Sequence, residues 1–213
     1  LEVDGRTWFT DGAQFNGSGT IDAVSTIKGT FFQDGADLSN VSLISSGEIH
    51  VVDFFEGTAS MHALSMRNTA SLHLSMWFSD QQQQQIMHDT LNVQDQAILD
   101  GTLVLSLNPE TDLPVGETIT MLQAGSISGT FDAIDDSQLG PNRRAYVTIT
   151  DTTVEVFVTC LTDLNADGQS NFFDVSMFLA QYNDMDPQAD LNNDGQFNFF
   201  DVSIFLSSYD MGC

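Results

Sequence analysis

The last quarter of the chain writes nearly the same twenty residues twice: DLNADGQSNFFDVSMFLAQY from Asp163 and DLNNDGQFNFFDVSIFLSSY from Asp190. Counting Asp163 as position 1, oxygen-bearing side chains fall at Asn165 (3), Asp167 (5), Asn171 (9) and Asp174 (12), with Gly168 at 6 and Gln169 at 7. The second copy sets Asp190, Asn192, Asp194, Gly195, Gln196, Asn198 and Asp201 at the same places, 27 residues further on. Alternating oxygen donors let a chain spiral around a hard cation, the glycine supplies the sharp turn, and position 7 offers its main-chain carbonyl. No Lys or Arg follows residue 160, so carboxylates this dense repel one another without a counter-cation.

These are the ligand positions of an EF-hand calcium loop, with Asp in place of Glu at position 12 and no helix entering either loop. The form D-x-N-x-D-G-x-x-N-x-x-D followed by one helix resembles a type I dockerin. The phrase FFDVSxFL and the terminal Gly-Cys are similar to the dockerin-like modules that close large secreted bacterial proteins. The resemblance covers residues 160–213 and implies a small α module of two loop-helix repeats that folds on two Ca²⁺ ions. The ions would be held by Asp163, Asn165, Asp167, Gln169, Asn171 and Asp174, and by Asp190, Asn192, Asp194, Gln196, Asn198 and Asp201. Phe172, Val175, Leu179 and Tyr182, then Phe199, Val202, Leu206 and Tyr209, recur at helical spacing, with Phe178 and Phe205 widening the stripe.

Dockerins bind a β-sandwich partner, the cohesin, through their two helices. Here Phe172–Phe173 and Phe199–Phe200 stand where the cellulosomal pattern carries small or hydroxyl side chains, and Ala180–Gln181 and Ser207–Ser208 replace its basic residues. The Phe pairs either seal the module's own core or form a docking surface. The chain's two cysteines, Cys160 and Cys213, bracket the same segment. Free thiols are one reading. A disulfide is the other, and the paired units of a dockerin-like module, which bring its two ends together, imply that one. A disulfide places the protein in an oxidising compartment, secreted or at a cell surface.

Before residue 160 the grammar changes. ASLHLSMWF (70–78) sets Ala70, Leu72, Leu74, Met76 and Phe78 on one face, and AILDGTLVLSL (97–107) does the same with Ala97, Leu99, Leu103, Leu105 and Leu107. Glycine-punctuated short strands fit either a β-sandwich or a parallel β-solenoid, the β-helix. Pieces such as GTIDAV, GTASMHALSM and NTASLHLSM read as similar rungs, which favours a parallel β-solenoid body over 1–159, with capping strands from about residue 89. AYVTITDTTVEVFVT (145–159) reads as a final hairpin about Asp151, Thr152 and Thr153. LNVQDQAILDGTLVLSL (91–107) is similar to the β-helical stalks of secreted bacterial surface proteins. The whole is thus expected to be mainly β, with the small α module at its C-terminal end.

Thirty acids against five bases give a formal net charge of −25, which repels nucleic acid and anionic membranes. No run of 18 apolar residues predicts membrane insertion, and the chain opens at Leu1 without initiator Met or secretion signal, as a processed or truncated product would. Candidates for catalysis are sparse. Arg6, Lys28, Arg67, Arg143 and Arg144 are the only bases, and His50, His62, His73 and His88 the only imidazoles. His62 and His73 are expected to stack on neighbouring rungs, Asp135–Asp136 to be solvated, and the glutamines at 81–85 to form a polar loop. No hydrolase, metalloprotease or phosphate-loop motif occurs. The expectation is a non-catalytic extracellular protein whose calcium-loaded module attaches it to another protein. Self-assembly with identical chains, head to tail into a fibre or surface layer, is preferred. The alternative is the end of a carbohydrate-active enzyme or adhesin docking on a separate cohesin-like domain.

Overall fold

A computed structural model of the chain describes residues 5–9, 19–23, 27–33, 37–45, 47–52, 58–78, 86–107, 115–140, 142–192 and 194–212. The chain divides into two compact units, one of Leu1–Leu113, Thr118–Gln138 and Val147–Val156, the other of Pro114–Glu117, Leu139–Tyr146 and Phe157–Cys213.

The first unit is built of strands. In chain order these are β1 (Gly5–Phe9), β2 (Gly19–Ala23), β3 (Ile27–Gln33), β4 (Asp37–Ser45), β5 (Glu48–Val52), β6 (Thr58–Met66) and β7 (Ser71–Phe78). There follow β8 (Ile86–His88), β9 (Thr90–Leu99), β10 (Thr102–Leu107), β11 (Thr118–Gly129), β12 (Ala133–Gln138), β13 (Arg143–Ile149) and β14 (Thr153–Cys160), the last two divided between the units. They form two seven-stranded sheets. One has the order β1-β3-β5-β7-β10-β12 with β8 beside β7, and the other the order β13-β14-β11-β9-β6-β4-β2.

The parallel β-solenoid expected over 1–159 is overturned, because the two sheets are of mixed pairing. Strands β1 to β7 do pair in parallel with strands two steps away. Yet β8 lies antiparallel on β7, with Met76 opposite His88 and Phe78 opposite Ile86. The segment 151–158, which includes most of β14, runs against β11 and the residues before it, Gly116, Ala124 and Ile127 N–H groups donating in turn to the carbonyls of Val158, Thr152 and Asp151. Connection length explains the first. A parallel return in one sheet needs a crossover of about a dozen residues, and the link 79–85 between β7 and β8 is too short for one, as is the link 150–152 between β13 and β14. The second of these is the turn of the hairpin expected about Asp151, held by Thr150 N–H on the Thr153 carbonyl at 2.9 Å and by the two threonine hydroxyls at 2.7 Å.

Period-two patterning sets which side chains of β7 enter the core, and bulges and runs of buried residues depart from it on β6, β10 and β11. Leu72, Leu74 and Met76 of β7, Ala97 and Leu99 of β9 and Leu103 and Leu105 of β10 are all buried, joined by Met61 and Leu64 of β6 and Met121 and Leu122 of β11. Gly101, between β9 and β10, has φ +69° and lies so close to the Ala70 carbonyl that a Cβ would fall 2.2 Å from its oxygen. Only glycine fits.

The histidine pair differs from expectation. His73 stacks on His50, with ring centroids 4.0 Å apart and planes at 21°, because β5 and β7 are sheet neighbours and the two residues are register partners. His62 is exposed on β6, in the other sheet. The glutamines at 81–85 lie outside the described residues.

In the second unit, α1 (Phe172–Asp184) and α2 (Phe199–Met211) each follow one of the repeated loops, with a short 3-10 turn at Pro187–Ala189 between them. Each starts at a capping box: Asn171 with Asp174, and Asn198 with Asp201. The core is small. Phe178 and Phe205 stack at 4.2 Å and 12°, with Leu164 and Ala189 buried beside them and Val175, Tyr182, Val202 and Tyr209 packed around. The apolar stripe is therefore turned from the one read off the sequence, since Phe172, Leu179, Phe199 and Leu206 are exposed. Its phase follows from the loop. Asp174 and Asp201 must point back into their loops, and residues four later, Phe178 and Phe205, share that face.

Candidate calcium loops and the phenylalanine face

The two loops repeat the same hydrogen-bond pattern, save that Asn165 N–H also donates to Asp174 Oδ1 at 3.3 Å in the first. In the first, Asp163 accepts from Asp167 N–H (Oδ1, 3.1 Å) and Gly168 N–H (Oδ2, 2.8 Å). In the second, Asp190 accepts from Asp194 N–H (3.1 Å) and Gly195 N–H (2.7 Å). Gly168 and Gly195 take φ of +81° and +75°, turning the chain back on itself at position 6. Asn165 and Asn192 each accept from the N–H two residues on and donate to the aspartate there, Asp167 or Asp194, at 2.9 Å. These aspartates receive the N–H groups of Gln169 and Gln196.

Position 12 closes each loop. Asp174 Oδ1 accepts from Leu164 N–H at 2.9 Å and its Oδ2 from Asn171 N–H at 2.8 Å, while Asp201 does the same with Leu191 and Asn198. Asn171 and Asn198 turn their side-chain oxygens to the helix, onto Phe173 N–H and Phe200 N–H. Asp163, Asp174 and Asp201 are wholly buried. Among the described residues no three His, Cys, Asp or Glu side chains form a metal cluster by themselves. Each loop contributes only three aspartates; the rest of its expected donor set is Asn and a main-chain carbonyl. That set is all oxygen, and the segment after Cys160 has nine aspartates and no Lys, Arg or His to offset them. The chemistry suits a hard divalent cation of calcium's kind.

The phenylalanine pairs occupy the first turns of the helices and face outward, with Phe172 74%, Phe173 71%, Phe199 75% and Phe200 66% exposed. Of the two roles open to them, sealing the module's core falls to Phe178 and Phe205 instead. The sequence stripe hid this, because it placed Phe172 and Phe199 inside.

Cys160 is buried and disulfide-bonded. Cys213 lies outside the described residues. In the first unit, His50, His73, Glu48 and Asp135 come together on neighbouring strands of one sheet, while Arg67, His62 and His88 lie elsewhere. Arg67 is exposed, His88 Nδ1 lies 3.1 Å from the Asp89 carbonyl, and Asp135 accepts from the Ser137 hydroxyl. His50 reaches Glu48 at 3.2 Å. Burial, the neighbouring His50 and then the opposing pull of Glu48 and Asp135 leave the His73 pKa below its ordinary value. Arg6 and Lys28 lie on β1 and β3. Among the described residues no helix is long and apolar enough to cross a membrane. No known protein family matches the chain, and neither does any curated protein sequence.

Proposed function

We propose that this protein is a secreted, non-catalytic attachment protein, whose C-terminal dockerin-like module folds around two Ca²⁺ ions and presents its four phenylalanines to a protein partner. The observation that carries the reading is the double exposure of Phe172–Phe173 and Phe199–Phe200 at equivalent places of a repeated unit. Four large apolar side chains held in water have a cost that a partner relieves. The oxygen-rich loops supply the reason for calcium, and the disulfide-bonded Cys160 supports an oxidising, extracellular setting.

The partner is a second copy of the chain, joined head to tail, since such a contact propagates when it does not close. A separate cohesin-like receptor is the second reading, favoured by the net charge of −25, which sets copies against one another. Sedimentation of the purified chain at rising concentration separates them. Polymers are expected in calcium, dispersing in EDTA and in the variant with all four phenylalanines replaced by Ser. A chain that stays monomeric in calcium moves the partner to another protein. Polymers that survive both EDTA and the Ser substitutions overturn attachment through the module.

A further inference from the structure

The two loops share a pattern but not a setting. Asp163, first residue of the first loop, is clamped by groups from outside the loop. The Thr159 hydroxyl donates to its Oδ2 at 2.6 Å, the Tyr146 hydroxyl donates to its main-chain carbonyl at 2.8 Å, and its own N–H donates to the Cys160 carbonyl at 3.1 Å. Thr159 and Asp163 are both wholly buried. Thr162 and Ser170 add a further tie across the first loop, hydroxyl to hydroxyl at 2.6 Å.

The equivalent residue of the second loop, Asp190, is half-buried and keeps only the main-chain part of this arrangement, its N–H on the Pro187 carbonyl at 3.2 Å. Among the described residues no side-chain donor reaches its carboxylate or its carbonyl. Where the first loop has Thr162 and Ser170, the second has Ala189 and Phe197, which pack with the apolar core.

We propose, on the calcium reading above, that the loops load in order: the first is a pre-built, tighter site with Thr159 as its positioning residue, and the second is the weaker, responsive one. Thr159 fixes the rotamer of the carboxylate at position 1. Its hydroxyl and Gly168 N–H occupy Oδ2, and Oδ1, which takes only the Asp167 N–H, faces the loop, so the ion finds this ligand already ordered. At Asp190 the same ordering is completed only as the ion binds. Partial occupancy at low calcium then means a formed first loop beside an unformed second one.

Calorimetric titration of the full, calcium-stripped chain with CaCl₂ tests this. Two classes of site are expected, the tighter abolished by Asp163→Ala and the weaker by Asp190→Ala. Thr159→Val should weaken the tighter class about tenfold and leave the weaker class in place, which is the usual size of a lost contact behind a metal ligand. Thr159→Ser, which keeps the hydroxyl, should restore it. Two indistinguishable sites in the parent chain overturn the ordering, as does a Thr159→Val variant that weakens both classes equally. No calcium uptake at all overturns the calcium reading itself, and the ordering with it.

Discussion

The two units solve the problem of an interior in opposite ways. The β unit fills its interior with Leu, Met and Ala at alternate strand positions. The helical unit stacks two phenylalanines and then buries Asp163, Asp174 and Asp201 outright. Exclusion of water stabilises the first. In the second, buried carboxylates cost free energy unless hydrogen bonds and a cation compensate them, and its apolar core is too small to carry the module alone. One unit should therefore depend on its solvent's ions and the other should not.

The largest expected effect is on that contrast itself. Chelation by EDTA should greatly reduce the helical part of the far-ultraviolet circular dichroism, α2 most of all, and leave the strand signal, because metal-binding energy is folding energy for such loops. Helix content unmoved by EDTA, or both signals lost together, would break the contrast. Next in size, Phe178→Ala should destabilise the helical unit by about 3–5 kcal/mol, since it opens a cavity at the stacked pair. The single exposed change Phe172→Ser should leave thermal stability nearly unmoved; denaturation scans in saturating calcium that rank the two the other way would refute the assigned core.

The smallest effect belongs to the β unit. The fold holds His73 below its ordinary pKa, so the folded state keeps the imidazole neutral while the unfolded chain takes up a proton near pH 6.5. This stability is fully present above that pH and is lost as pH falls through the folded pKa. The groups facing His73 are His50, Glu48 and Asp135. Melting of the β unit should fall modestly below neutrality, and His73→Gln should flatten that slope. An unchanged slope in the variant would remove His73 as its source.

Sequence told most where chemistry and geometry coincide. The loops were legible because each position has its own duty: Gly168 and Gly195 for positive φ, Asp174 and Asp201 for closing the loop. The inward faces of β7 and β10 were legible because a strand's period is two. Strand direction over the rest of the body was not, since an alternating pattern is the same read either way; only the final hairpin about Asp151 was read from its short turn, and the short link 79–85 held the same kind of information. His73 was paired with the wrong residue for a related reason. Sequence order made β6 look like its neighbour, whereas the chain passes to the other sheet between them. The helix stripe was misplaced because Phe occurs on every side of both helices, so apolar periodicity alone could not fix its phase. Thr159 was missed altogether, as a lone hydroxyl in a strand gives no pattern to read.

The carboxylate at position 12 has a consequence for time as well as for place. Asp174 holds the Leu164 amide at the head of its loop with one oxygen and the Asn171 amide at the head of its helix with the other. A helix of 13 residues begins slowly on its own, because the first turn fixes several torsions for a single bond. Here the same group completes both structures, so the nucleus of the helix is delivered ready-made when the loop shuts. Propagation along α1 takes only nanoseconds per residue after that. The speed at which this end of the protein becomes ordered is then the speed of closing a short ring of polar residues, and the helices follow it as passengers.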